Sequence, residues 1–162
     1  MTAQIANGGH KIYPNLIVDD QKKVQPSDKF TPLYKDYRNI KIVQDAMFGS
    51  TNEVMGTSYR SRINNPKYQF AGKTGTSQVK KITEKDRELD LKTFEIPYEE
   101  RDHALYIAYG PYKDPRYAVS ILVKHGGNGS TTAAPMAKKL FKKIIDRHQL
   151  RESVKNKKYM EI

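Results

Sequence analysis

His103-Ala-Leu-Tyr-Ile-Ala-Tyr109 carries apolar side chains on both faces of an extended chain. A strand of that kind needs cover above and below, so it belongs in the middle of a sheet. Arg116-Tyr-Ala-Val-Ser-Ile-Leu-Val123 follows, with Tyr117, Val119, Ile121 and Val123 on one face. Pro111, Asp114 and Pro115 make the link between the two a hairpin connection. After Gly126-Gly127-Asn128-Gly129 the spacing predicts a helix starting at Ser130 to Thr132. Met136, Ala137, Leu140, Phe141, Ile144, Ile145 and His148 recur there at i, i+3, i+4 intervals. An earlier helix is expected over 36–49, with Ile40, Val43 and Met47 on one face and Ile42 and Ala46 beside it. Gly49, Asn52 and Gly56 end it, and Asn64-Asn65-Pro66 turns the chain into a strand over 70–80. The order is helix, three strands, helix: an α+β fold, an antiparallel sheet with a C-terminal helix packed on it.

The remaining segments are less regular. Residues 2–6 read as the end of a helix stopped by Asn7-Gly8-Gly9, which suggests a chain that begins inside a larger unit. Residues 10–34 are irregular around a short apolar patch, Leu16-Ile17-Val18, and 80–102 are charged enough for an exposed excursion. No stretch of about 18 apolar residues is present, so no membrane span is expected. Neither a basic n-region nor an apolar h-region follows Met1. With no cysteine and four histidines scattered along the sequence, no metal site or cofactor is expected. The formal charge is +11, and nine Lys/Arg from residue 138 onward face three carboxylates. That basic stretch reads as a solvated helix face followed by a mobile tail over 151–162. No arginine-rich run with interleaved aromatics accompanies it, so nucleic acid is not an expected partner.

Lys73-Thr74-Gly75-Thr76, inside Tyr68-Gln-Phe-Ala-Gly72 and Ser77-Gln-Val79, is the run with the clearest chemistry. A bound carboxylate needs a fixed cation and hydroxyl donors, which Lys73, Thr74 and Thr76 supply. Gly75 removes a side chain, so a ligand can lie against its backbone. Three neighbouring patterns are decoys. Gly72-Lys73-Thr74 lacks the glycine five positions earlier that a phosphate-binding loop needs, since position 67 is lysine. Ser77-Gln-Val-Lys80 spells S-x-x-K, but on a strand residues three apart point to opposite faces, so the lysine cannot activate the serine. Ser50-Thr51-Asn52 spells S-x-N in what reads as a polar turn.

Taken with its flanks, Tyr68–Val79 resembles the third active-site element of the class B penicillin-binding proteins, the Lys-Thr-Gly strand that accompanies a Ser-x-x-K nucleophile and a Ser-Asp-Asn-type element. Arg101-Asp-His-Ala-Leu-Tyr-Ile-Ala-Tyr-Gly-Pro111 resembles the next strand in the elongation-specific D,D-transpeptidases of that family. Ala118-Val-Ser-Ile-Leu-Val-Lys-His-Gly-Gly127 and Ala133-Ala-Pro-Met-Ala-Lys138 resemble the following strand and closing helix. Met1–Gly9 is similar to the segment after the second element, and Gly56-Thr-Ser-Tyr59 with Arg62 fits the run before the third.

The resemblance implies a partial transpeptidase domain of the serine β-lactamase-like fold over 1–150. In the family a serine attacks the D-Ala-D-Ala end of a peptidoglycan stem peptide, and penicillin acylates the same serine. Lys73, Thr74, Gly75 and Thr76 then form the substrate-binding wall, and the Thr76 amide serves as half of the oxyanion hole. Stem peptides and β-lactams are the implied ligands, met through the complete domain. The Ser-x-x-Lys helix and the second element are missing, so the N-terminal half of the domain is itself an implied partner and the chain alone is expected to be inactive. The family is inner-membrane anchored with a periplasmic catalytic domain, whereas this chain, translated as written, would stay in the cytoplasm. Two other readings stand beside this one: an inactive gene-fragment remnant, or a small basic module binding nucleic acid or glycan. His103 reads as a packing or capping residue at a strand start, and Gly126–Gly129 as a strand-to-helix loop.

Overall fold

The structure, a computed structural model, describes residues 1–14, 31–33, 35–81, 84 and 91–160, with side chains to 153. Strands β1 (Ala71–Ser77), β2 (His103–Gly110) and β3 (Tyr117–Val123) form one antiparallel sheet in the order β1-β2-β3. The doubly apolar strand is therefore central, as its pattern requires. Pairing runs Ala71 to Tyr109 through Ser77 to His103, and Ala104 to Val123 through Gly110 to Tyr117.

Helices cover both faces. α1 (Thr2–Ala6) and α2 (Tyr37–Asn52) lie on one side, and α3 (Ala134–Met160), entered through a wide π turn at Gly129–Ala133, lies on the other. On the α3 side Ala104, Tyr106 and Ala108 of β2 are buried against Phe70, Ala137, Phe141 and Ile145. Phe70 and Phe141 stack with ring centroids 5.0 Å apart. On the other side Ala71 and Tyr109 meet Ile5 and Met47, while Leu105 and Ile107 stay only half-buried.

The elements differ from the sequence pattern in instructive ways. α2 does not stop at Gly49 but runs to Asn52, because glycine weakens a helix without breaking it. Asp36 starts it, its carboxylate accepting the Arg38 amide at 2.9 Å. Its buried stripe is Ile40, Met47 and Thr51; Val43 (40% exposed) and Ile42 (66%) face outward. In α3 the stripe is Ala134, Ala137, Phe141 and Ile145, continuing Ala133 of the π turn and leaving Met136 and Leu140 at its exposed margin. Small residues sit where this helix presses on the sheet. α3 also continues past residue 150 to Met160, since no glycine or proline interrupts 151–160. The strand expected over 70–80 is shorter, ending at Ser77. Leu16-Ile17-Val18 and most of 82–90 lie outside the described residues. In the described part of the excursion Phe94 (72% exposed) and Tyr98 (58%) are open to solvent, as expected of it.

Candidate functional site

β1 places the Lys-Thr-Gly-Thr run on the edge of the sheet, with Ala71 and Gly72 buried and Lys73, Thr76 and Ser77 exposed. The Lys73 ammonium folds back on its own strand, donating to the Thr74 carbonyl at 2.9 Å and reaching Thr74 Oγ1 at 3.4 Å. Thr74 Oγ1 lies 3.4 Å from Thr57 Oγ1, which lies 3.1 Å from Ser50 Oγ. A chain of hydroxyls thus runs from the last turn of α2 to the cation. Gly75 sits in the regular ladder opposite Leu105, not in a bulge. A Cβ at Gly75 would stand 3.3 Å from the Leu105 Cβ, so the bare backbone here reflects a tight fit as well as an open approach.

A second hydroxyl cluster lies behind the strand. The Tyr106 hydroxyl is 2.9 Å from Thr51 Oγ1 and 3.0 Å from Ser58 Oγ, and all three side chains are buried. Burial pushes the Tyr106 phenol above its ordinary value, against the lowering effect of the Ser58 and Thr51 hydrogen bonds. It therefore stays neutral at physiological pH and holds α2 and the 56–61 turn to β2. A Cβ on Gly72 would fall 2.3 Å from the same hydroxyl, so the glycine before Lys73 makes room for the cluster. Tyr106→Phe is expected to cost about 1–3 kcal/mol by leaving two buried hydroxyls short of a partner, read as a lower urea midpoint with unchanged slope. No change in the midpoint would show that the bonds each hydroxyl keeps, Ser58 to the Ser50 carbonyl at 3.0 Å and Thr51 to the Met47 carbonyl at 3.4 Å, suffice.

The S-x-N decoy has structural duties, in a helix rather than a turn. Ser50 contacts Thr57, Thr51 contacts Tyr106, and Asn52 Nδ2 donates to the carbonyls of Phe48 and Phe70 at 3.0 Å each. Ser77 ends β1, and the Lys80 ammonium beyond it is held by Glu100 at 2.8 Å. His103 caps as expected: its Nδ1 accepts the His125 amide at 3.0 Å. The fold brings these two histidines, distant in sequence, to a ring-centroid separation of 4.8 Å. Among the described residues no three His, Asp or Glu converge as a metal site requires. No helix there is long and apolar enough to cross a membrane.

Lys73 stands at the rim of an open cleft of about 650 Å³ between α1, α2 and the sheet. Ile5, Ile42, Val43, Met47 and Ile107 line it, so the incompletely covered Ile42, Val43 and Ile107 meet there beside the buried Ile5 and Met47. A second, basic cleft lies between the 56–61 turn and the start of α3. Thr57 and Ser58, which join the strand to its surroundings, were legible only as part of the Gly56-Thr-Ser-Tyr59 run; nothing local marks them as partners of residues 74 and 106.

Comparison with known proteins gives this geometry a family. Residues 1–146 match the penicillin binding protein transpeptidase domain. The chain is 32% identical over 154 residues to the peptidoglycan D,D-transpeptidase MrdA of Salmonella typhimurium, covering 88% of this chain and 23% of that protein. The chain thus spans about a quarter of the length of such relatives. Among solved structures, PBP2 of Pseudomonas aeruginosa in complex with WCK 5153 superposes with a TM-score of 0.61 at 31% identity, over 85% of this chain and 27% of that one. PBP2 of Helicobacter pylori in complex with MreC gives 0.65 at 27% identity, over 90% and 23% respectively. The chain belongs to the penicillin-binding protein transpeptidase domain family and carries the Lys-Thr-Gly strand side of that fold.

Proposed function

We propose that residues 1–150 are the carboxy-terminal part of a peptidoglycan D,D-transpeptidase domain, and that Lys73, Thr74 and Thr76 hold the terminal carboxylate of a stem peptide or β-lactam. The observation that carries this reading is the Lys73 ammonium, anchored on Thr74 at the end of a hydroxyl chain and standing at the rim of a cleft. A fixed cation next to hydroxyl donors binds a carboxylate through charge-assisted hydrogen bonds. Gly75 lets the ligand lie along the strand, and the Thr76 amide is one donor to the oxyanion.

The second donor and the serine come from residues outside 1–162, since no helical Ser-x-x-Lys occurs in the sequence. The apolar cleft beside Lys73 is the seat for the helix that carries that serine, because it offers uncovered Ile and Val side chains next to the cation.

Intact mass after incubation with a β-lactam tests the division of labour. Residues 1–162 alone are expected to gain no adduct. A single stoichiometric adduct would overturn the proposal, and peptide mapping would then name the serine that reacts.

A further inference from the structure

Between the 56–61 turn and the start of α3 lies an open cleft of about 790 Å³. Arg60, Lys138, Lys139 and Lys142 line it, and no carboxylate does among the described residues. Some cations elsewhere on the surface are paired, Arg38 with Asp36, Lys41 with Asp45, Lys67 with Asp146, Lys80 with Glu100 and Arg116 with Asp114, but those do not all converge on one cleft. None of the four in this cleft has an ion-pair partner among the described residues. Lys138 and Lys142 are also four apart on one helix, where like charges repel.

A second observation points the same way. Ser61 lines the cleft, is only 1% exposed, and its hydroxyl has no hydrogen-bond partner. A buried hydroxyl left unpaired is destabilising, and such groups in native folds ordinarily have a partner. The π turn that leads into α3 also borders the cleft, through Ser130 and Thr131. Its polar groups are already engaged: the Ser130 amide and hydroxyl donate to Asn128 Oδ1 at 2.7 and 2.8 Å, and the Thr131 hydroxyl donates to the Asn128 carbonyl at 3.3 Å. The helix start therefore adds a favourable field for an anion and few free donors. The orphan hydroxyl and the unanswered cations need an occupant with several acceptor oxygens and more than one negative charge. A carboxylate, with a single charge, meets only part of that need.

We propose that this cleft binds a phosphoryl group, with Arg60 and the three lysines neutralising it and the Ser61 hydroxyl donating to one of its oxygens. Gly56 and Thr57 line both this cleft and the one beside Lys73, so its occupant bears on the turn that holds Thr74. The site does not depend on the transpeptidase reading, since no residue of β1 lines it.

The test is a titration of the 15N-labelled chain with inorganic pyrophosphate at constant ionic strength, followed by amide shifts. Saturable shifts are expected at Arg60, Ser61 and Thr131. The Lys139→Gln/Lys142→Gln double variant, altered only at exposed positions, is expected to bind at least about tenfold more weakly, and Ser61→Ala about fivefold. Lys113→Gln, outside the cleft, leaves affinity unchanged. Co-sedimentation with phosphatidylglycerol vesicles, against phosphatidylcholine alone, separates the two sources of the group. Vesicle binding lost in the double variant identifies a lipid headgroup, whereas pyrophosphate binding without vesicle binding identifies a soluble phosphoryl compound. Linear, non-saturating shifts spread along the lysines of α3, or affinity unchanged in the double variant, would overturn the proposal.

Discussion

Gly129→Ala is expected to destabilise the fold by about 3 kcal/mol, although it adds a single methyl group. The helix entrance and β1 meet backbone to backbone at this point. A Cβ on Gly129 would stand 2.4 Å from the Leu105 carbonyl oxygen and 2.7 Å from the Gly75 carbonyl oxygen. Neither atom is the end of a flexible side chain, so the strand or the helix entrance must shift. The π turn at Gly129–Ala133 joins directly to α3, and Ala133 of the turn and Ala134 and Ala137 of the helix are fully buried, so retreat on that side disturbs the core. Movement of β1 displaces Gly75 and with it the neighbouring Lys73 and Thr76. Gly49→Ala is the internal comparison: only the Glu53 carboxylate comes near, at 3.0 Å, and that side chain can swing away. It is expected to be neutral or to stabilise by up to about 1 kcal/mol through helix propensity. Urea unfolding of the two variants measures both, with amide exchange at Thr74 to Thr76 reporting local loosening in Gly129→Ala alone. A loss below about 1 kcal/mol there would mean that α3 can slide without disturbing the strand.

Those contacts also mark where the sequence stops speaking. The central strand is legible because its apolar pattern on both faces is a local signal, and the hairpin and the last helix follow from equally local periodicity. Helix ends are less legible: Gly49 reads as a stop, yet the backbone passes through it because Met47 and Thr51 on either side are buried. Ile42 and Val43 belong to the apolar pattern of α2 but face an open cleft, so the pattern foretells burial that the described residues do not provide. The Lys-Thr-Gly-Thr run can be read because its chemistry is contiguous. Its supports cannot, because Thr57 reaches Thr74 across 17 positions and Thr51 reaches Tyr106 across 55. Serine and threonine at such positions carry the same turn-forming signal whether or not a fold later joins them. Gly129 reads as an ordinary loop residue for the same reason: its constraint lies in the carbonyls of residues 75 and 105.

Lys73→Ala, made in a protein that joins residues 1–162 to an upstream helix bearing Ser-x-x-Lys, is expected to lower the second-order rate constant for acylation by a β-lactam about 10–100-fold, the size of a lost charge-assisted hydrogen bond. The form of the loss follows from the proposed role. A carboxylate that pairs with Lys73 does so before the acyl bond forms and while it forms, so the cation stabilises ground state and transition state alike. Removing it should raise the β-lactam concentration needed for half-maximal rate and leave the maximal rate nearly unchanged. The methyl ester of the same β-lactam, which has no carboxylate, completes a double-mutant cycle. Wild type and Lys73→Ala should react with the ester at similar rates, both slower than wild type with the acid. A Lys73→Ala variant that slows acid and ester equally would place the ammonium at the reacting atoms, as a proton-transfer or oxyanion group, and would remove it from the carboxylate site. Thr74→Val keeps the bulk of the side chain and the Thr74 carbonyl that accepts from Lys73 at 2.9 Å, but deletes the hydroxyl that links the cation to Thr57 and Ser50. With the cation retained, and one neutral hydroxyl donor to the carboxylate lost together with the side-chain tether, acylation of the acid should fall less than in Lys73→Ala, and the ratio of acid to ester should stay above one.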